Sequence, residues 1–494
     1  MKKTNVLFAA SEAVPFMKTG GLADVVGSLP KHFDKKKYDV RVIMPKYTCI
    51  KDALKQKMEY VTHFITGFNF REQYAGLLKT ELDGVTYYFI DNEYYFSGDR
   101  PYAGGLQDIE KFAFFSKMVL AMIPHMNWKP DIIHCHDWQT GLVPVYLNDT
   151  FQGDLFFHHI KTVFTIHNLK FQGVWNVRQM MEKTGLSSYY FTPDKMESYG
   201  DGNLLKGGLV YADRITTVSD TYAYEIRTPF YGEGMDGLLN ARRNVLSGIV
   251  NGIDTDEYNP AKKEDVPFPF TAKNVLKEKV KNKLALQKEL GLKEDENAFM
   301  VGIVSRMTDQ KGFDLINCVM NDMTQDPNMQ FVILGTGEER YENMFRYFAY
   351  LHPDRVSANI LYSEALARKI YASSDAFLMP SLFEPCGLSQ LMALRYGSLP
   401  IVRETGGLKD TVFPYNEFTH EGTGFSFANY NAHEMMAIVR YAQYVYRENR
   451  EDWNRMVIRA MQQDFSWVNS AKKYEALYDE LEAQKLLEET PLDL

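Results

Sequence analysis

The sequence predicts an α/β protein made of two doubly wound, parallel-sheet domains. Three observations lead there. First, short runs rich in Val, Ile, Phe and Leu recur, separated by segments of helix length. A parallel strand covered on both faces reads as such an unbroken apolar run. Second, the runs fall into two series. One comprises 6–10, 39–45, 86–91, 131–135, 161–166 and 214–218; the other comprises 247–250, 300–304, 329–334, 358–362, 375–379 and 399–402. Third, polar residues cluster just after the runs, where open α/β sheets bind their ligands. Ser11 and Glu12 follow the first run, His134, His136 and Asp137 close another, and Ser305 with Arg306 follow a third. The natural place for a site is then a cleft between the two domains.

Composition narrows the class. A chain of 494 residues can build sizeable cores without disulfide or metal staples. Lys and Arg number 55 against 64 Asp and Glu, a net charge of −9. That lacks the basic field of a nucleic-acid or anionic-membrane binder. An anionic substrate therefore needs a local basic pocket. The four cysteines, Cys49, Cys135, Cys318 and Cys386, have neither metal nor disulfide spacing, which points to a reducing compartment. The apolar start, VLFAA after Lys3, is too short for a signal peptide and is interrupted by Glu12, so it reads as the first buried strand. The expected location is the cytoplasm, with no nucleic-acid or membrane partner. The oligomeric state stays open.

The segments follow in chain order. KTGGLADVVGSLP (18–30) places Gly20 and Gly21 between a strand and an apolar-periodic helix, with Lys18 adjacent. Paired glycines let a backbone approach a ligand, and a helix start offers N–H donors to phosphate. A tight turn beside a surface lysine fits equally well. Residues 97–105 (SGDRPYAGG) read as an exposed loop. In HCHDWQTG (134–141), His134 and His136 alternate onto one face, as a metal pair would, but no third ligand has good spacing. The domain boundary falls between Asn251 and Pro260, and we place it after residue 255. Asp254 and Asp256 there resemble a metal-binding Asp-x-Asp, a pattern short enough to arise by chance. The following lysine-rich stretch, with Lys273, Lys277, Lys279, Lys281, Lys283 and Lys288, reads as a solvated helix face.

In SRMTDQKG (305–312), Arg306 and Lys311 could clamp a diphosphate, Arg bidentately and Lys as a point charge. A surface ion pair has the same spacing. GTGEER (335–340) begins like a dinucleotide fingerprint, but Arg340 stands where the third glycine belongs. In LFEPCGLSQLMAL (382–394), Glu384 sits in a loop before a helix, able to bind sugar hydroxyls, act as a base or cap the helix. Cys386 beside it reads as a reactive thiol at a helix start or as a buried bystander. ETGGLKDTV (404–412) repeats the strand, glycine pair and helix of 18–30 in the second half, with Thr405, Gly406 and Gly407.

Together and in order, these segments resemble bacterial glycogen synthases and plant starch synthases. TIHNLKFQG (165–173), TVSDTYAYEI (217–226), GEGMDGLL (232–239), NGIDTDEYNP (251–260) and DFSWVNSAKKYEALY (464–478) complete the likeness, which covers nearly the whole chain. The resemblance implies the GT-B fold, two Rossmann-like domains facing across a deep cleft. Residues 1–255 would form the acceptor-side domain and 256–474 the donor-side domain, with 475–494 crossing back onto the first. The implied reaction moves glucose from ADP-glucose to the non-reducing 4-hydroxyl of an α-1,4-glucan, with retention and without a metal or other cofactor.

The resemblance also implies roles. Lys18, Gly20 and Gly21 would face the donor phosphates. Arg306 and Lys311 would stabilise departing ADP. Glu384 would hold glucose hydroxyls, helped by the backbone of Cys386, Gly387 and Leu388, and Thr405, Gly406 and Gly407 would line the donor. His167 would sit beside the reacting sugar. Asp137 and Asn251 would contact sugar or organise the site, Tyr362 would stack on adenine, and Glu12 would lie toward the acceptor. Met392 occupies the position where many retaining GT-B enzymes carry a second glutamate, which argues against a nucleophile there. The chain opens directly on its first strand, so a bacterial-type core is expected. The alternatives are a non-catalytic glucan-binding protein on this fold, or a related GT-B transferase with another acceptor.

Overall fold

The computed structural model describes residues 3–264 and 266–489. The chain divides into two compact units. The first holds the described residues within 1–218, 223–249 and 467–494, and the second those within 219–222 and 250–466. The division thus falls at Val250 rather than after 255, and the chain returns to the first unit at Trp467 rather than at 475. Residues 490–494 of the expected crossover segment lie outside the described residues.

The strands, in chain order, are β1 (Thr4–Ala9), β2 (Tyr38–Pro45), β3 (Glu59–Phe68), β4 (Arg71–Leu82), β5 (Val85–Asp91), β6 (Ile132–His136), β7 (Lys161–Ile166), β8 (Val174–Asn176), β9 (Glu197–Ser198), β10 (Asp201–Asn203), β11 (Arg214–Thr217), β12 (Leu246–Gly248), β13 (Phe299–Val304), β14 (Met329–Leu334), β15 (Val356–Asn359), β16 (Ala376–Met379), β17 (Leu399–Arg403) and β18 (Phe425–Phe427). Among the described residues the first unit forms a nine-stranded sheet in the order β12-β11-β7-β6-β1-β2-β5-β4-β3. The second forms a six-stranded sheet in the order β15-β14-β13-β16-β17-β18. A small sheet, β8-β10-β9, also lies in the first unit.

The central strands explain their own sequences. Val6, Leu7, Phe8 and Ala9 of β1 are fully buried, and β1 pairs in parallel with both β2 and β6. Burial on both faces removes any need for alternation. The antiparallel outer hairpin β3–β4 was not expected. All β3 residues before the buried Phe68 are exposed or half-buried, so no continuous apolar run marks it. The run 247–250 was assigned to the second series, yet Leu246–Gly248 pairs with β11 in the first sheet.

The lysine-rich stretch needs a correction. Lys273, Lys277 and Lys288 are exposed, but Lys279 and Lys283 are buried. Lys279 Nζ donates to the carbonyls of Tyr371 (2.9 Å), Ala372 (3.2 Å) and Tyr396 (3.0 Å). Lys283 Nζ pairs with Asp375 at 2.7 Å and meets the Tyr446 hydroxyl at 2.8 Å. Helical spacing of charge does not reveal which lysines turn inward; the carbonyls and carboxylate that accept them come from distant segments. Among the described residues, no helix is long and apolar enough to cross a membrane.

Candidate active site

The polar residues stand beyond the carboxyl ends of the parallel strands in each unit, as open α/β sheets require. In the first unit, Glu12 follows β1, Asp137 follows β6 and His167 follows β7. Asp137 has φ +58, a left-handed conformation uncommon for a residue with a side chain. The turn is pinned by its neighbours. Asp137 N–H donates to Thr165 O at 3.0 Å, and Thr140 Oγ1 accepts the His136 N–H at 2.7 Å. The turn aims the Asp137 carboxylate at the start of the next loop, where Oδ1 accepts the His167 N–H at 2.7 Å. The Asn168 N–H adds a second backbone donor. Burial nevertheless pushes Asp137 up to about 7, outweighing both donors. Burial pushes the His167 imidazole down to about 3, so it is neutral.

Glu12 is buried at the base of the loop that carries Lys18. Its carboxylate accepts from the backbone N–H and hydroxyl of Thr19 and from the Tyr102 hydroxyl. Both oxygens thus fasten protein loops, which gives Glu12 an organising role. Tyr102 also meets the Ser11 hydroxyl at 2.9 Å, so the expected exposed loop 97–105 is tied down at its centre. Lys18 pairs with Asp24 at 2.8 Å and stays one-third exposed. Gly20 caps the helix Gly21–Ser28 with extended backbone, and a Cβ there would meet nothing within 4 Å.

In the second unit, Arg306 and Lys311 follow β13, and Glu384 follows β16. Lys311 Nζ lies 2.6 Å from Glu384 Oε2, which also accepts the Ser381 hydroxyl at 3.0 Å. Both partners are largely buried, so neither is a surface charge. Glu384 does not cap the helix Ser389–Arg395, whose N-cap is Leu388 with no side-chain bond. Arg306 is exposed, and its guanidinium has no partner among the described residues. Gly387 adopts φ +72, and Gln390 Nε2 donates to the carbonyls of Cys386 and Gly387 at 2.9 and 3.0 Å. Burial pushes the Cys386 thiol up to about 12, which removes the reactive-thiol reading. The Asn251 backbone N–H bonds the Cys386 side chain, and Asn251 Oδ1 is buried without a partner among the described residues.

The glycines of 405–407 are spent on packing. Gly406 has φ +44, and Cβ atoms on Gly406 and Gly407 would collide with the carbonyls of Glu384 and Cys386. The Gly407 N–H donates to Glu384 O at 3.1 Å. Thr405 is the N-cap of the helix that these glycines open. Gly335 and Gly337 likewise press on the backbone of Ser305 and Met307, so the partial dinucleotide fingerprint is a packing feature. Tyr362 projects from the end of the β15 loop, three-quarters exposed at 75%, with its hydroxyl on Glu364 at 2.7 Å.

Arg403 escaped sequence reading, and the contacts of His134, His136 and Asp254 differ from the metal-ligand patterns their spacing suggests. Arg403 is buried and donates to Ser381 O at 2.8 Å and to Leu382 O, holding the Glu384 loop. His136 lies 2.9 Å from His167 through their ring nitrogens. His134 has its ring nitrogens on the Tyr478 and Thr165 hydroxyls, each at 2.6 Å, which leaves it none for a metal. Asp254 Oδ1 accepts the backbone N–H groups of Asp256 and Glu257, a local turn. Among the described residues, no group of three or more His, Cys, Asp or Glu could hold a metal ion.

Comparison with known proteins now bears on this geometry. The family model described as "Starch synthase catalytic domain" matches residues 5–241, and "Glycosyl transferases group 1" matches 285–458. A glycogen synthase of Lachnospira eligens is 63% identical over 477 residues, covering 97% of this chain and 100% of that protein. The chain belongs to the glycogen synthase family. A glycogen synthase of Clostridium acetobutylicum, a second member, is 51% identical over 96% of this chain and 99% of its own. Among solved structures, the catalytic domain of starch synthase IV from Arabidopsis thaliana, bound to ADP and acarbose, matches with a TM-score of 0.89. It is 34% identical over 97% of this chain and 99% of its own. The two α/β units are those of a GT-B glycosyltransferase, as the glycogen synthase family has them.

Proposed function

We propose that the chain lengthens α-1,4-glucans by transferring glucose from ADP-glucose to the non-reducing 4-hydroxyl, with retention. Full-length kinship to glycogen synthases supports the reaction class. The starch synthase bound to ADP and acarbose supports an adenine nucleotide and an oligosaccharide. The observation that carries the reading lies in the second unit. A partner-free Arg306 and a Lys311 paired with Glu384 follow one strand end: two cations for a diphosphate, and a carboxylate for sugar hydroxyls.

In this reading Arg306 and Lys311 stabilise charge on departing ADP, where preorganised cations act at no reorganisation cost. Glu384 holds glucose hydroxyls while Lys311 and Ser381 fix its carboxylate in place. The backbone of Cys386, Gly387 and Leu388, with Thr405, Gly406 and Gly407, lines the donor, and Asn251 offers its unsatisfied Oδ1. Tyr362 supplies an exposed ring for the adenine. Lys18, Gly20 and Gly21 face the donor phosphates from an unobstructed loop. His167 meets the reacting sugar, and Asp137 orients it. Glu12 shapes the acceptor side by fixing Thr19 and Tyr102. No metal or other cofactor takes part. The acceptor attacks the face the leaving group quits, through a short-lived oxocarbenium–ADP ion pair, and the leaving phosphate takes the acceptor proton. Trapping a covalent glucosyl-enzyme would overturn that step. The four free cysteines fit a cytoplasmic protein.

The test is nucleotide release on mixing protein, glycogen and ADP-glucose or UDP-glucose, with EDTA present. Glycogen-dependent ADP release that survives chelation is the expected result. No release from either donor, with glycogen still bound, would favour a non-catalytic glucan-binding protein.

A further inference from the structure

We propose that His136 is a positioning residue that sets the tautomer of His167, so that His167 meets the sugar with an Nδ1–H donor and has no ring nitrogen free to act as a base. The inference rests on the reading above for the identity of the sugar; its geometry does not. Alternation along β6 puts His134 and His136 on one face, and their rings stack with centroids 4.3 Å apart at 22°. Phe8 covers His136 at 5.1 Å. Both histidines are fully buried. His136 Nδ1 lies 2.9 Å from His167 Nε2, and His136 Nε2 is buried with no partner among the described residues.

A neutral imidazole carries one donor and one acceptor. The contact therefore has two possible arrangements. In one, His167 Nε2–H donates, and the hydrogen of His136 sits on its Nε2, a buried donor with nowhere to go. In the other, His136 Nδ1–H donates, and only a lone pair is left unmet at Nε2. Orphaned buried N–H groups are the rarer kind, so the second arrangement is favoured. Burial keeps His134, His136 and His167 neutral, which preserves this choice. His167 Nε2 is then an acceptor, and its hydrogen sits on Nδ1. That nitrogen has no partner among the described residues.

His167 is thus held at two points, its backbone N–H by Asp137 and its ring by His136. The support extends outward. His134, under the His136 ring, bonds the Tyr478 hydroxyl of the helix Trp467–Glu489 and the Thr165 hydroxyl, which in turn meets Thr216 at 2.6 Å. A donor at His167 agrees with a proton that leaves on phosphate rather than on a side chain.

The first test needs no activity. The full-length, ligand-free protein is labelled with ¹⁵N-histidine, and the rings of His136 and His167 are assigned by signals lost in H136N and H167N. Hydrogen on Nδ1 of both rings is expected. Hydrogen on Nε2 of His167 would overturn the proposal. Because this reads the resting protein, its failure is separate from failure of glucosyl transfer, which nucleotide release reports. The second test compares His136→Leu with His136→Asn, whose amide nitrogen can occupy the Nδ1 place. Leu should lower kcat by about 10- to 100-fold, the range for lost orienting partners, with the donor KM nearly unchanged. Asn should recover most of that loss. Equal impairment of both variants, or of neither, would overturn the proposal. If the Leu variant does not fold, the spectrum of the unaltered protein still decides.

Discussion

The two glycine pairs, Gly20-Gly21 and Gly406-Gly407, both lie between a strand and a helix start, yet Gly20 and the second pair have opposite surroundings. Around Gly20 the space is open and the backbone is ordinary extended chain. Around Gly406 and Gly407 the chain presses on the carbonyls of Glu384, Pro385 and Cys386, leaving no room for a Cβ. Glycine permits close approach of backbone to backbone as readily as of backbone to ligand. The second pair is needed by the fold itself, because it seats the loop that carries Glu384. Among the described residues, nothing lies within 4 Å of a Cβ placed at Gly20, so packing there does not demand glycine. The constraint in the first unit resides instead in buried titratable groups.

The largest expected effect would break the second pair. Gly407→Ala drives a methyl group into the Cys386 backbone, and overpacking against main chain should cost ~3 kcal/mol or more. Urea unfolding would register this as an early transition with loss of activity. A midpoint close to that of the parent would show that the loop yields and that the contrast is false.

Next come the two cations. Lys311→Ala should lower kcat on the order of 10²–10³-fold, as loss of a charge-stabilising donor does. It also strands the buried Glu384, which should cost ~1–3 kcal/mol of stability. From sequence, the fold would be expected to stay intact in this variant; the 2.6 Å pair changes that expectation. Arg306→Ala should lower kcat comparably while leaving the unfolding midpoint in place, because the side chain is exposed and has no partner among the described residues. Kinetics and urea melts on both variants separate the two behaviours.

A smaller effect concerns pH. His134, His136 and His167 are all held below their usual value of 6.5 by burial, His167 to about 3. Below pH 6.5 the unfolded chain gains protons that the native state refuses, so stability falls as pH drops toward 3. Asp137 acts with the opposite sign. Its native form keeps a proton up to about 7 that the unfolded chain releases from 3.8, so it costs stability as pH rises through that window. Glu12, also raised by burial, acts with Asp137, and three histidines against two carboxyls predict net weakening on acidification. Urea midpoints between pH 7 and 5 should fall less steeply in His167→Asn than in the parent.

The smallest effect sharpens the comparison from the other side. Gly20→Ala should change stability by no more than ~0.5 kcal/mol, since its methyl group meets nothing. A raised KM for the nucleotide-sugar with an unchanged melt would match a loop kept clear for ligand. A strongly destabilised G20A would mean that the loop is packed after all.

Much of this architecture was legible before any coordinates. Buried parallel strands announce themselves as apolar runs, and β1, β7, β13, β14 and β17 sit where those runs stand. The polar residues at strand ends were readable for the same reason: the turn from strand to helix is local. What stayed hidden is long-range. Leu246–Gly248 resembles any short apolar run until its pairing with β11 assigns it to the first sheet. The hairpin β3–β4 is half-exposed, so its pattern lacks the signal of a covered strand. The inward turn of Lys279 and Lys283 depends on acceptors in other segments.

The same division runs through the candidate site. Residue types and short spacings supplied the reactive inventory, because a motif is a few neighbouring residues and its chemistry follows from their side chains. Which groups meet was decided by packing. Lys311 and Glu384 are 73 residues apart, His136 and His167 31, and His134 and Tyr478 344. Local propensity carries no information over such distances. Burial then sets the charge states, leaving His167 neutral and Asp137 near 7, because desolvation is a property of the surroundings and not of the residue.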